Sequence, residues 1–159
     1  MRIEAVDWSD PRAVALRSAM DAETGAMYEP MRAGLSAEAQ AGIDTVLTVD
    51  PSTIEVTVIA LDGDAPIGHS ALRPFGDEFE VKKVYTDPAA RGLGVAKALL
   101  AWLEEYAVSH GAASLVLQTG VLQTEAIGLY EAIGYRRIPA FRGYEAIPGG
   151  VCMRKVLGA

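Results

Sequence analysis

The run Arg91-Gly92-Leu93-Gly94-Val95-Ala96 decides how this chain is read. It follows an extended segment, Phe79–Thr86, and opens a segment, Ala96–Val108, whose apolar residues recur at helical spacing. Glycines at a strand-to-helix junction leave backbone N–H groups bare at a helix N-terminus, where the helix dipole favours a phosphate or diphosphate. Two common phosphate loops fit badly. A Walker A loop ends in Gly-Lys-Ser/Thr, whereas Gly94 is followed by Val95-Ala96. A dinucleotide fingerprint needs a third small residue three positions past its second glycine, and Lys97 stands there. Glu80, Lys82 and Lys83 in the preceding segment point to a half-exposed strand rather than one buried on both faces.

The composition around this run is that of an ordinary soluble globular protein: 159 residues, 50% hydrophobic and 22% charged. That length suits one domain, residues 1–159, with a sizeable core. No apolar run approaches the ~20 residues of a membrane span. Met1–Asp7 has no secretory apolar region. One cysteine, Cys152, excludes an internal disulfide and a cysteine metal cluster, and two histidines, His69 and His110, exclude a His-rich metal site. The expectation is a cytoplasmic protein with no metal and no membrane association. A net charge of −7 argues against nucleic acid as a partner. The charge is uneven: residues 1–64 hold twelve acids and four bases, residues 65–159 nine acids and ten bases. Lys82, Lys83, Arg91 and Lys97 stand around the glycine loop against Asp87 alone.

Asp10-Pro11 caps a helix to about Thr24, with Val14, Leu16 and Met20 on its apolar side, and Tyr28-Glu29-Pro30-Met31 marks a break. Ser36 caps a second helix to about Thr48. From Ile54 the period becomes strand-like. Ile54–Leu61, a turn at Asp62-Gly63-Asp64, and Ala65–Leu72 form a hairpin. Phe75-Gly76-Asp77 turns into Phe79–Thr86. After the helix Ala96–Val108 come a compact strand, Ser114–Gln118, a short helix, Glu125–Ile133, and two last strands, Tyr135–Ile138 and Val151–Val156. This order predicts a mixed α/β sheet with helices on both faces.

The spacing Arg-x-x-Gly-x-Ala, entered by Val84-Tyr85-Thr86-Asp87-Pro88, resembles the acyl-CoA-binding motif of the GNAT superfamily of N-acetyltransferases, Gln/Arg-x-x-Gly-x-Gly/Ala. A second block, Ala126-Ile127-Gly128-Leu129-Tyr130-Glu131-Ala132-Ile133-Gly134-Tyr135, is similar to that family's other signature, in the same order and at a similar separation. The C-terminal series Gly134-Tyr135, Ile138-Pro139, Phe141, Tyr144 and Val151-Cys152-Met153 resembles generic bacterial members. The likeness runs from about Ile54 to Val156 and less securely over the N-terminal third. It implies the GNAT fold, a mixed, mostly antiparallel twisted sheet with helices on both faces. It also implies transfer of an acetyl group from acetyl-CoA to a primary amine by direct attack in a ternary complex. A CoA-binding module without turnover, or a transferase of longer acyl chains, stays open.

The resemblance assigns the diphosphate of coenzyme A to Arg91, Gly92, Leu93, Gly94, Val95 and Ala96. It assigns the pantetheine arm to the backbone of Val84 and Thr86, with a backbone N–H near Val84 as oxyanion donor. Tyr130 matches the general acid, a phenol of pKa ~10 close to a thiol of ~8.5. Glu80 matches a carboxylate used as general base; lying four residues before Val84, it is expected on the same strand face. Its other reading is a surface partner of Lys82 and Lys83. Gln123 falls where many members have an asparagine that bonds the pantetheine. No Ser–His–Asp or Cys–His arrangement is supported, and Cys152 reads as a small buried hydrophobe. The acceptor is a small-molecule or peptide amine. The acidic N-terminal part favours a cationic one, and Tyr28, Glu29 and Met31 are candidates to border its groove. Members are often homodimers, and no interface stripe is distinctive here.

Overall fold

The computed structural model describes residues 1–158. Seven strands and four helices follow in the order β1 (Arg2–Val6), α1 (Pro11–Ala33), α2 (Ala37–Leu47), β2 (Val56–Asp62), β3 (Ala65–Phe75), β4 (Glu78–Thr86), α3 (Val95–Ser109), β5 (Ser114–Gly120), α4 (Thr124–Ala132), β6 (Arg136–Ile138) and β7 (Gly150–Val156). The strands form one sheet in the order β1-β2-β3-β4-β5-β7-β6. Neighbours are antiparallel except β4 and β5, which run parallel.

Each face of the sheet is covered, as the sequence predicts. On one side Val95, Leu99, Leu100, Leu103 and Ala107 of α3 and Ile127 and Tyr130 of α4 pack on Val58, Leu72, Val81 and Leu117. On the other, Ala13 and Leu16 of α1 pack on Ile59, Leu61 and Tyr85. Gly68 on β3 lets α3 sit close: a Cβ there would stand 2.6 Å from the Val95 side chain.

Three expectations need correction. First, α1 does not break at Tyr28–Met31 but runs through Pro30 to Ala33. Proline forfeits one hydrogen bond, yet Arg32 anchors the final turn to the Gln40 carbonyl and the Asp44 carboxylate. Second, its buried face is Ala13, Leu16 and Arg17, while Val14 is exposed. Third, β4 is not half exposed. It is the middle strand, and Glu80 and Lys82 are buried in it. Arg73 of β3 and Arg142 meet the Glu80 carboxylate there, which a strand-by-strand reading does not see.

Candidate active site

The site forms where β4 and β5 part. Their parallel ladder has two registered pairs, Phe79↔Leu115 and Glu80↔Val116. Beyond them the strands diverge, because β5 stays paired with β7 along its whole length while β4 follows β3. The gap opens into two cavities. One, of about 340 Å³, lies toward α1 and α2. The other, of about 740 Å³, runs from β4 to the start of α3 and along α4. Val84, Gln123 and Tyr130 border both.

A bulge in β4 sits at this point. His69 pairs with Tyr85 and Ala71 with Lys82, so Lys83 and Val84 together face Ser70. Lys83 has φ +55°, a left-handed conformation costing about 1–3 kcal/mol for a residue with a Cβ. A buried polar chain holds it. The His69 Nδ1–H donates to the Lys83 carbonyl at 2.8 Å. Its Nε2 then accepts from Arg17 at 3.0 Å, and Arg17 donates to the Trp8 carbonyl at 2.6 Å while lying over the Trp8 ring. The bulge also shifts the strand's alternation. Val84 packs with Val81 toward α3, whereas Glu80 faces Arg73 and Tyr144 on the other side. The expectation that Glu80 and Val84 share a face is therefore wrong by the one inserted residue.

Burial depresses the His69 imidazole to about 4, and in the unfolded chain it titrates near ~6.5. Between these values the unfolded state binds more protons. Stability is fully present above pH ~6.5 and declines by up to about 3 kcal/mol as the pH falls toward the folded value. Denaturant unfolding near neutral pH and at about pH 4 should show that loss in the wild type and a flatter slope in His69→Leu. Equal slopes in the two proteins would contradict it.

The larger cavity receives the glycine run. Gly94 caps α3 at φ +80° with no side-chain hydrogen bond to the first turn, so the opening amides of the helix are free. Arg91, Gly92, Gly94, Val95 and Ala96 border the cavity with Thr86 and Gln123. Leu93 does not, and it is 72% exposed. Arg91 donates to Glu23 of α1 at 2.7 Å and to the Thr86 carbonyl at 3.2 Å, beside the Tyr85 ring. The Gln123 carbonyl oxygen accepts from the Gly120 N–H at 3.1 Å and the Tyr28 hydroxyl at 3.2 Å. Tyr28 presses so closely on Gly120 that no Cβ fits there.

Tyr130 is buried, and burial alone pushes its phenol up from the ordinary value, with no charged or hydrogen-bonding neighbour contributing. Glu80 borders neither cavity. It is 0% exposed, and its oxygens are taken by Arg73 Nε at 2.7 Å, Arg142 Nε at 2.9 Å and the Tyr144 hydroxyl. Neither the surface partner of the lysines nor a carboxylate open to an incoming amine describes it. Lys82, beside it, does border the smaller cavity. Its Nζ donates to the Tyr144 hydroxyl at 2.9 Å, and burial brings its pKa down to about 8. Of the N-terminal candidates, Tyr28 and Met31 border the smaller cavity, and Glu29 is exposed away from it.

The sequence reading gives His69, Arg17, Arg73 and Tyr144 no site role, and it sets Lys82 around the glycine loop rather than on the smaller cavity. One signal was available. The Phe75-Gly76-Asp77 turn sets a hairpin register that places Arg73 opposite Glu80. Nothing local marks the other four.

Residues 23–135 match the family model described as the Acetyltransferase (GNAT) family. An IAA acetyltransferase of Azospirillum brasilense is 34% identical over 90 residues, covering 57% of this chain and 59% of that protein. The match thus spans less than two thirds of that relative. A crystal structure of a Klebsiella pneumoniae protein assigned as an acyl-CoA N-acyltransferase superposes with a TM-score of 0.78 at 29% identity, covering 99% of this chain and 97% of that one. The fold is shared with the PaiA N-acetyltransferase of Thermoplasma acidophilum, solved with coenzyme A (TM-score 0.69, 16% identity, 98% and 99% covered). The chain belongs to the GNAT acetyltransferase family, and it shares the fold of the acyl-CoA N-acyltransferases solved with that architecture.

Proposed function

We propose that this chain is a single-domain N-acetyltransferase that moves the acetyl group of acetyl-CoA onto a primary amine within a ternary complex. The observation that carries this reading is the position of Tyr130, whose buried phenol stands between a cavity headed by free helix amides and a second cavity of acceptor size. The donor set suits coenzyme A. The amides of Val95 and Ala96 and the Arg91 guanidinium offer positive charge to a diphosphate. The unpaired β4 edge past Glu80 offers backbone groups to a pantetheine amide, with Val84 and Thr86 on that edge. Gln123 keeps its amide N–H groups for the same arm, its oxygen being already engaged.

Acyl transfer supplies a thioester carbon for attack by the neutral amine. The N–C bond forms, the C–S bond breaks, the sulfur leaves as thiolate, and the proton shed by the attacking nitrogen ends on that thiolate, giving the amide and the free thiol. The Val84 N–H, beside the bulge, serves the developing oxyanion, and the Tyr130 hydroxyl donates to the departing sulfur. Since burial raises the phenol further above a thiol's ~8.5, we assign Tyr130 hydrogen-bond donation to the thiolate before any full proton transfer. Glu80 becomes a positioning carboxylate for Arg73, Tyr144 and Arg142.

Titration of the purified protein with coenzyme A tests the donor half. Micromolar binding is expected for the wild type. Gly94→Ala forces a Cβ into the left-handed region at a cost of about 1–2 kcal/mol and should weaken binding by roughly tenfold. Binding that is absent, or indifferent to this change, would remove the assignment. Thiol release with a panel of amines tests the transfer half.

A further inference from the structure

The smaller cavity has mostly apolar walls, among them Met20, Met31, Leu35, Ile43, Leu47 and Leu117. Five charged residues also border it, and four of them pair off. Asp21 meets Lys83 at 2.9 Å, and Asp44 meets Arg32 at 2.9 Å. Both carboxylates of the N-terminal part that border this cavity are thus paired with bases. Lys82 remains, with its side chain 7% exposed. Its nearest carboxylate oxygen, on Glu80, is 3.7 Å away and already serves other donors. Among the described residues a neutral phenol, that of Tyr144, is its one partner at hydrogen-bond distance. An ammonium has three donors, and a buried cation without a counter-anion is costly. Behind Lys82 the surplus grows, since Arg73, Lys82 and Arg142 surround the single carboxylate of Glu80. Toward the far end, Arg32 Nε is buried with no partner among the described residues.

We propose that the acceptor is an apolar amino acid, an amine whose own carboxylate lies a few bonds from the nitrogen and is met by Lys82, while its side chain fills the Met/Leu/Ile wall. This rests on the transferase reading of the same site. The positions agree with that reach. Lys82 and Val84 flank the bulge at Lys83 and border the same cavity, so the ammonium that would hold the carboxylate lies close to the strand edge that would hold the thioester. A second ammonium, as in a polyamine, would find no free carboxylate inside.

The test begins with binding, using the protein saturated with coenzyme A. Calorimetry compares 3-phenylpropanoate with its neutral isostere 3-phenylpropanamide in the wild type and in Lys82→Met. The acid should bind the wild type at least ~10-fold tighter than the amide, the scale of one charge-assisted hydrogen bond, and the variant should lose that preference. Turnover with acetyl-CoA should likewise favour L-phenylalanine over L-phenylalaninamide. Equal affinity for acid and amide in the wild type, binding of neither, or a preference that survives Lys82→Met overturns the proposal. Acyl transfer to amines without carboxylate preference sinks it alone and leaves the transferase standing. Carboxylate preference without transfer to any amine sinks the transferase and leaves the anion site.

Discussion

Tyr130→Phe is expected to lower kcat by about 10²-fold while coenzyme A affinity and thermal midpoint stay at wild-type values. The three readouts separate chemistry from structure. The ring packs with Ile127, Leu117 and Val81 and lies 5.6 Å, centroid to centroid, from Tyr135, and phenylalanine keeps all of that packing. What it removes is one hydroxyl that borders both cavities and has no hydrogen bond assigned among the described residues. A donor that acts only when negative charge develops on sulfur affects the barrier and little else. Because burial holds the phenol protonated throughout the ordinary range, the alkaline limb of the wild-type profile should show no inflection from Tyr130. A variant with unchanged kcat in single-turnover measurements would show that the leaving group needs no help from this residue.

The second large effect concerns stability. Glu80→Ala should destabilise the fold by about 3–5 kcal/mol, the cost of stripping a buried ionic cluster of its one anion. For a chain of this length that corresponds to a fall in thermal midpoint of roughly 6–20 °C. Arg73 is 8% exposed and Lys82 7%, so neither recovers its lost partner from water. The Tyr144 hydroxyl, which donates to Glu80 and accepts from Arg73 and Lys82, would face two cations without its acceptor. Glu80→Gln keeps the shape and one acceptor oxygen and should fall between the two. A Glu80→Ala midpoint within a degree or two of wild type would mean that the cluster is solvated. Full activity in a folded Glu80→Gln variant would separate this carboxylate from proton abstraction.

Much of the arrangement was legible in the residues. The glycine run at a strand-to-helix junction announced free amides, and α3 begins there with Gly94 as an uncapped N-terminus. Alternating Val, Ile and Thr followed by Asp62-Gly63-Asp64 marked the β2–β3 hairpin. Failures cluster where distant segments settle the matter. Pro30 looked like a terminus because the anchor for α1's last turn comes from α2, through Asp44 and the Gln40 carbonyl. Lys82 and Glu80 looked like surface charges because Arg73, Arg142 and Tyr144 lie seven to more than sixty positions away in the chain. The bulge at Lys83 carries no glycine to give it away. It exists because a buried histidine on β3 holds a carbonyl out of the ladder, and period-two reasoning fails past it.

The second helix, Ala37–Leu47, reaches only one of the two chambers: Ile43, Asp44 and Leu47 stand on the smaller one, and no α2 residue borders the larger. Changes at Ile43 or Leu47 would therefore enlarge or recontour the smaller chamber without touching the larger, whereas Asp44 is also tied to Arg32. Under the transferase reading, a lineage built on this scaffold can change its taste through α2 while keeping its fuel, whereas Val84, Gln123 and Tyr130 stand on both chambers and answer to both.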